Sequence, residues 1–127
     1  MTMRQPRIPG PDHPIVLSPN PARVLVVVDG SVIADTRHAL TLREASYPAA
    51  QYIPRLDVDM KLLERTGHTT YCPYKGDCKY YSIPIGGMRA VNAAWTYESP
   101  FTVVAAIKDF LAFYPDRVDA IEERPAP

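Results

Sequence analysis

Within TTYCPYKGDCKYYSIPI, residues 69–85, two cysteines, three charged side chains and four tyrosines crowd around a single glycine. In Pro-Tyr-Lys-Gly-Asp the proline and glycine favour a tight turn, which would hold Lys75 at a defined angle instead of leaving it to swing. A lysine held in that way can bind an anionic ligand or, once desolvated, act as a nucleophile or base. The alternative is a solvated turn lysine paired with Asp77. Cys72 is the second nucleophile candidate, because a thiolate is reactive wherever its surroundings favour ionisation. Its commoner role is that of a small apolar residue buried in a core, and that is the expectation for Cys72 here.

Cys72 and Cys78 are separated by five residues. Local zinc-binding pairs use gaps of two to four, which bring both sulfurs to about 2.3 Å from one ion. His38 and His68 would complete a ligand set only if the fold gathered them, so neither a metal nor another cofactor is expected. A thioredoxin-like C-x-x-C pair is absent. Were 72 and 78 on facing arms of a hairpin around Lys75-Gly76, a disulfide would come within reach. The chain also lacks a G-x-S-x-G elbow, a Walker loop, a G-x-G-x-x-G turn and an H-E-x-x-H pair. Enzyme readings therefore rest on single residues.

The other groups able to contact a ligand are Arg43, Glu44 and the aromatics. Arg43 and Glu44 are adjacent on an expected strand, so only one of them can face a given cavity. Tyr52, Tyr71, Tyr74, Tyr80, Tyr81, Trp95, Tyr97, Phe113 and Tyr114 lie mostly in or beside strands. Such rings suit cores and pocket linings alike. Trp95 and Tyr97 are two apart and share a strand face, where they would form a stacking wall if Tyr80 lies on the paired strand.

The elements that must position these residues are mainly strands. RVLVVVD (23–29) is continuous and β-branched, as in a strand buried on both faces. Asp29-Gly30 makes a hairpin turn, SVIAD (31–35) returns, and HALTLRE (38–44) alternates as a third strand. Tyr47-Pro48 and Ile53-Pro54 bracket an irregular crossing. DVDMKLLE (57–64) fits a helical turn and a short strand equally. YYSIPI (80–85) and MRAVNAAWTY (88–97) form a second hairpin across Gly86-Gly87. One helix is expected after Pro100, capped by Thr102, with Val103, Val104, Ile107, Phe110 and Leu111 as its apolar stripe. FLAFY (110–114) and VDAIEE (118–123) are the last strands, with a turn at PDR. Six prolines in the first 21 residues rule out a helix or central strand there. Residues 1–22 are read as an extended arm packed through Ile15, Val16 and Leu17, residues 23–123 as the folded domain, and 124–127 as a polar tail.

Composition narrows the function classes. At 127 residues the chain is one domain, and 46% apolar with 22% charged residues is a globular balance. Zero formal charge gives no field to hold phosphates, so no nucleic-acid partner is expected. Apolar runs such as Val24–Val28 fall far short of the ~20 residues of a membrane helix. The N-terminus MTMRQPRIPG lacks the apolar core of a signal peptide. Two cysteines fit a reducing compartment, so the protein is read as cytoplasmic with no membrane contact; nothing in the sequence sets an oligomeric state.

Several motifs together, ADTRHALTLRE (34–44), Tyr52-Ile53-Pro54, TTYCPYKGDCKYYS (69–82), AAWTYESP (93–100) and FLAFYPDRV (110–118), resemble the bacterial and fungal domain-of-unknown-function family 427. The resemblance spans about residues 23–123. It implies a mainly β (α+β) fold, a small antiparallel two-sheet β-tent or Mss4-like domain, here with one helix in the C-terminal half. It implies no established reaction. The family also carries a nucleotidyltransferase-like label, but the paired-aspartate metal chemistry of phosphoryl transfer is missing here. Relatives on that fold use a zinc clip of two C-x-x-C pairs, which this chain lacks, and some bind small ligands in an aromatic cage. Family members usually carry a small residue such as Ala where this chain has Cys78. Positions matching the family pattern are Arg43, Glu44, Tyr52, Pro54, Cys72, Lys75, Gly76, Tyr80, Trp95 and Tyr97, and the polar ones are expected to converge on one cavity.

The function that follows is a small-molecule binding domain with an aromatic-lined pocket. Lys75 and Arg43 would meet an anionic or carbonyl group, while Trp95, Tyr80 and Tyr97 stack on the planar part and Glu44 and Tyr52 complete the site. Two alternatives stand beside it: a small enzyme using Cys72 or Lys75 as nucleophile, and an interaction module without ligand whose Pro-rich arm meets a partner chain.

Overall fold

The structure is a computed structural model that describes residues 5–125; the first four residues of the arm and the last two of the tail lie outside them. Among the described residues ten strands make three antiparallel sheets joined by short 3₁₀ turns. The chain is mainly β, as its β-branched and alternating stretches require.

The first sheet is built on β2 (Arg23–Val28), flanked by β3 (Ser31–Thr36) and β10 (Ala120–Arg124) in the order β10-β2-β3. Asp29 and Gly30 both adopt positive φ, 49° and 76°, so the two-residue turn twists in the sense its strands require. Val24, Val26 and Val28 sit at the centre of the larger core with Ile33, Ile83, Leu111 and Val118. Burying such side chains fully contributes about 1.5–3 kcal/mol each.

The second sheet has the order β1-β4-β5, from β1 (Ile15–Pro19), β4 (Leu40–Glu44) and β5 (Ala50–Tyr52). The arm ends in β1, an edge strand; its prolines lie at and beyond the ends of the pairing, where a missing N–H removes no central ladder bond. β4 thus leaves the sheet of β2 and β3 and pairs with the arm, Ile15 opposite Glu44 and Leu17 opposite Leu42. The crossing between Pro48 and Pro54 is irregular only in part, since its middle forms β5 with Tyr52 opposite Leu40.

The third sheet, β6-β7-β8-β9, carries β6 (Glu64–Cys72), β7 (Gly76–Ser82), β8 (Ala94–Thr96) and β9 (Leu111–Phe113). Ile53 and Leu111 exchange backbone hydrogen bonds of 2.7 and 2.8 Å, tying the second sheet to the third beside Tyr52. The expected hairpin of 80–97 exists as β7–β8, but its connection is a run of 3₁₀ turns over Pro84–Ala90 rather than a two-glycine turn. Residues 55–57 and 60–62 are likewise 3₁₀ turns.

The helix expected after Pro100 is a correction. Thr102–Ile107 is a 3₁₀ stretch kinked at Val104, and no side chain caps it. Val104 and Ile107, three apart as a 3₁₀ turn requires, are fully buried while Val103 is exposed. Two consecutive β-branched valines resist an α-helix, and Asp109 at φ 64° turns the chain so that Leu111 enters β9 instead of continuing a helical stripe. Among the described residues no helix is long and apolar enough to cross a membrane.

Candidate functional site

Period-two alternation along β4 sends Leu42 and Glu44 to one side and Thr41 and Arg43 to the other. Tyr52 of the adjacent β5 shares the first side, and the same cavity receives Trp95 and Tyr97 from β8 and its end and Phe113 and Tyr114 from the end of β9. Register then decides the aromatic wall: Tyr80 on β7 is directly opposite Trp95 on β8. Together these side chains line a cavity of about 710 Å³, within the usual size of small-molecule sites. A second apolar cluster joins four of the lining side chains, Leu42, Tyr52, Tyr80 and Tyr97, to Cys78, Val104, Ile107 and Ala112.

The polar end is an ion pair. The β6–β7 turn closes with the Lys75 N–H donating to the Cys72 carbonyl at 3.2 Å, and the Phe101 N–H donates to the Lys75 carbonyl at 3.0 Å. Gly76 at φ 111° lies beneath, with space so tight that a Cβ would stand 3.3 Å from the Ser99 carbonyl oxygen. The backbone of Lys75 is therefore held on both sides. Its side chain, only 9% exposed, turns inward, donates from Nζ to Glu44 Oε1 and passes 5.9 Å from the centroid of Tyr97. Lysine is seldom this buried without a partner.

Glu44 has a second partner. A turn closed by two backbone bonds between Gly10 and His13 presents the His13 ring, whose Nε2 donates to Glu44 Oε2 at 2.8 Å. The ring also stacks on Tyr74, centroids 3.9 Å apart and planes 5° from parallel. Burial works to raise the pKa of Glu44, but the bonds from Lys75 and His13 outweigh it and hold the carboxyl below its ordinary value of 4.5. The carboxylate is thus ionised with both oxygens engaged.

The aromatic wall is also fixed by hydrogen bonds. Trp95 Nε1–H donates to the Tyr52 hydroxyl at 3.0 Å, with the rings edge to face at 6.1 Å. Tyr114 covers the other side of the indole at 4.5 Å. Tyr80 shares a 2.9 Å hydrogen bond with Thr70. Burial raises the pKa of Tyr52, Tyr80 and Tyr97 far above the phenol range, so all three stay neutral. They offer hydroxyl groups, not phenolate nucleophiles.

Of the residues singled out from the sequence, Glu44, Tyr52, Lys75, Tyr80, Trp95 and Tyr97 line this cavity. Arg43 does not: it is exposed and borders a separate polar notch with Ser18, Asn20, Thr41 and Gln51. The solvated pairing of Lys75 with Asp77 gives way to the Glu44 pair, because the turn aims the lysine inward. The burial expected of Cys72 is only partial, and the deeply buried thiol is Cys78. Cys78, on the inward face of β7 with Tyr80, is 1% exposed, whereas Cys72 at the strand end is only partly buried, and both are free thiols. They are offset by two pairs across the hairpin, Cys72 opposite Gly76 and Cys78 opposite Thr70, with the Tyr71–Asp77 pair between them. Burial raises the Cys78 pKa despite nearby hydroxyls. Among the described residues no three His, Cys, Asp or Glu side chains gather into a metal-binding group. His13 is the participant that sequence reasoning passed over, its only local signal being a histidine between Pro11 and Pro14 in an otherwise unremarked arm.

No curated protein matches the chain in a search of such proteins. A family model does, over residues 16–124, which takes in all of the three sheets but the first residue of β1, and every residue lining the cavity. The chain therefore belongs to the family described as domain of unknown function DUF427.

Proposed function

We propose that the protein is a small-molecule binding domain whose ligand is planar, uncharged overall and equipped with a carbonyl-type acceptor. The observation that carries this reading is the Lys75–Glu44 pair set at the polar end of an aromatic-lined cavity. The indole of Trp95, held by Tyr52 and Tyr114, and the ring of Tyr80 provide flat apolar surface for stacking. Lys75 keeps ammonium hydrogens beyond the one given to Glu44, and these are donors for a ligand oxygen. An anionic ligand is disfavoured, because Glu44 already neutralises the lysine, Glu123 adds negative charge to the lining, and Arg43 lies elsewhere. The tie between the second and third sheets at Ile53 and Leu111 supports reading them as the two joined faces of a tent. Two free cysteines, one partly accessible, suit a reducing cytoplasmic setting.

Native mass spectrometry of freshly purified protein tests the reading. A co-purified organic mass that leaves on denaturation, and that is absent from folded Trp95→Ala and Lys75→Met variants, is the expected result. A ligand retained by both variants would place binding elsewhere. The enzyme alternative using Cys72 has less support, since Cys72 packs against the second apolar cluster and is not part of the cavity lining.

A further inference from the structure

Lys75, Glu44 and His13 form a chain in which an amine contacts a carboxylate and the carboxylate is oriented from its far oxygen by a third group. Nucleophile, base and orienting group within hydrogen-bond reach is the arrangement that activates side-chain nucleophiles in general. A lysine used in this way needs a fixed backbone, a partner to take its proton and an apolar surrounding. Lys75 has all three: its carbonyl and N–H are both bonded, Glu44 touches Nζ, and aromatic rings line the space in front of it.

We propose that Lys75 captures a planar aromatic aldehyde in the cavity as a reversible imine, with Glu44 moving the proton and His13 positioning Glu44. The inference rests on the reading of the cavity as a site for planar carbonyl ligands. The ionised pair is the resting state; when Glu44 transiently takes a proton from the Lys75 ammonium, the freed nitrogen lone pair attacks the carbonyl carbon while its oxygen takes the proton back from Glu44. The resulting carbinolamine nitrogen expels the hydroxyl as water, its second proton passing by way of Glu44 to the departing oxygen. The sum is one ammonium and one aldehyde giving one protonated imine and one water, with no oxidant or reductant. The iminium keeps the positive charge that Glu44 already balances, so the step neither creates nor strands a buried charge. His13 touches no reacting atom; it holds the far oxygen of Glu44.

The test uses the full-length wild-type protein, cinnamaldehyde as the planar aldehyde, and cyanoborohydride to trap imines, with peptide mapping of every lysine. Binding is followed separately through quenching of Trp95, the sole tryptophan. The expected result is quenching together with trapping at Lys75 about a hundredfold faster than at Lys61, Lys79 or Lys108, the lower range of what a positioned base contributes. His13→Ala should slow trapping at Lys75 with quenching unchanged, and His13→Gln, whose amide can still donate to Glu44, should restore it. Quenching with Lys75 trapped no faster than the other three lysines would overturn the imine while leaving the binding reading intact. Absence of both quenching and trapping would overturn the two together. Equal rates in wild type and His13→Ala would remove His13 from the account.

Discussion

The Lys75 ammonium and the Glu44 carboxylate meet inside the cavity although 31 positions separate them in the chain. Their side chains are only 9% and 12% exposed. One arrives from the end of a strand in the second sheet, the other from a turn of the third, so the pair couples the two sheets as well as ending the cavity. Each charge without the other would be left in apolar surroundings. Removing one partner of a buried pair costs about 3–5 kcal/mol, whereas replacing both is far milder. Lys75→Met and Glu44→Gln should each lower the urea midpoint strongly. The double variant should be more stable than the sum of the two losses implies. Strict additivity would mean that the two groups do not interact.

Acid should act through the same carboxylate. A depressed folded pKa means that Glu44 contributes its stability fully above its ordinary value of 4.5, and that this contribution is lost as pH falls through the folded value. Asp35 beside Arg23 and Glu98 beside Arg65 shift in the same direction, but these pairs are far more exposed than the Lys75–Glu44 pair. Urea unfolding repeated from pH 6 downward should therefore show a steeper decline below pH 4.5 for wild type than for Glu44→Gln. Parallel curves would contradict the assignment.

Gly76 tests the turn that aims Lys75. At φ 111° an L side chain is strained, and a Cβ would also press on the Ser99 carbonyl. Holding a residue in such a region costs about 1–3 kcal/mol. Gly76→Ala should lose stability of that order and should weaken ligand binding by displacing the lysine. A Tm equal to wild type would show that the turn tolerates the change.

Tyr52→Phe removes the acceptor that fixes the indole of Trp95. Leaving a half-buried N–H without its partner costs about 1–3 kcal/mol. The variant should unfold at lower urea concentration, and its tryptophan emission should move as the ring loses its tether. Unchanged emission would mean that packing against Tyr114 alone holds the indole.

The two thiols make opposite expectations testable in one experiment. Burial that raises the Cys78 pKa leaves it protonated and shielded. Native alkylation with iodoacetamide, mapped by mass, should modify Cys72 first and Cys78 only as the protein unfolds. Equal labelling would contradict the placement of Cys78 in the core.

How far the sequence could be read depended on whether a signal was local. The Val24–Val28 run and Asp29-Gly30 determine a buried hairpin by themselves, because β-branching and a positive-φ pair act within a few residues. Trp95, Tyr97 and Tyr80 were legible as one wall, since period two places the first pair and a hairpin supplies the third. Arg43 and Glu44 were not separable: alternation says that one faces inward, but only the pairing with β1 and β5 decides which. The full burial expected of Cys72 failed for the same reason, as burial depends on which face of the hairpin meets the rest of the domain. The 3₁₀ stretch after Pro100 mimicked an amphipathic helix because Val104 and Ile107 satisfy both spacings. His13 was invisible, since its role rests on Glu44 and Tyr74, both far away in sequence.

The most direct measurement of the central claim is a heteronuclear NMR titration of the single tryptophan indole N–H with a library of planar uncharged carbonyl compounds. Alongside it, matched sets of planar carboxylates and of aliphatic carbonyl compounds serve as comparisons. Trp95 gives one indole resonance because the chain has one tryptophan, and that group lies in the cavity wall. The account predicts saturable shifts from members of the first set, weaker ones from the other two, and their loss in Lys75→Met. An indole resonance that no planar carbonyl compound moves, in a protein whose remaining spectrum is that of a folded domain, would contradict it.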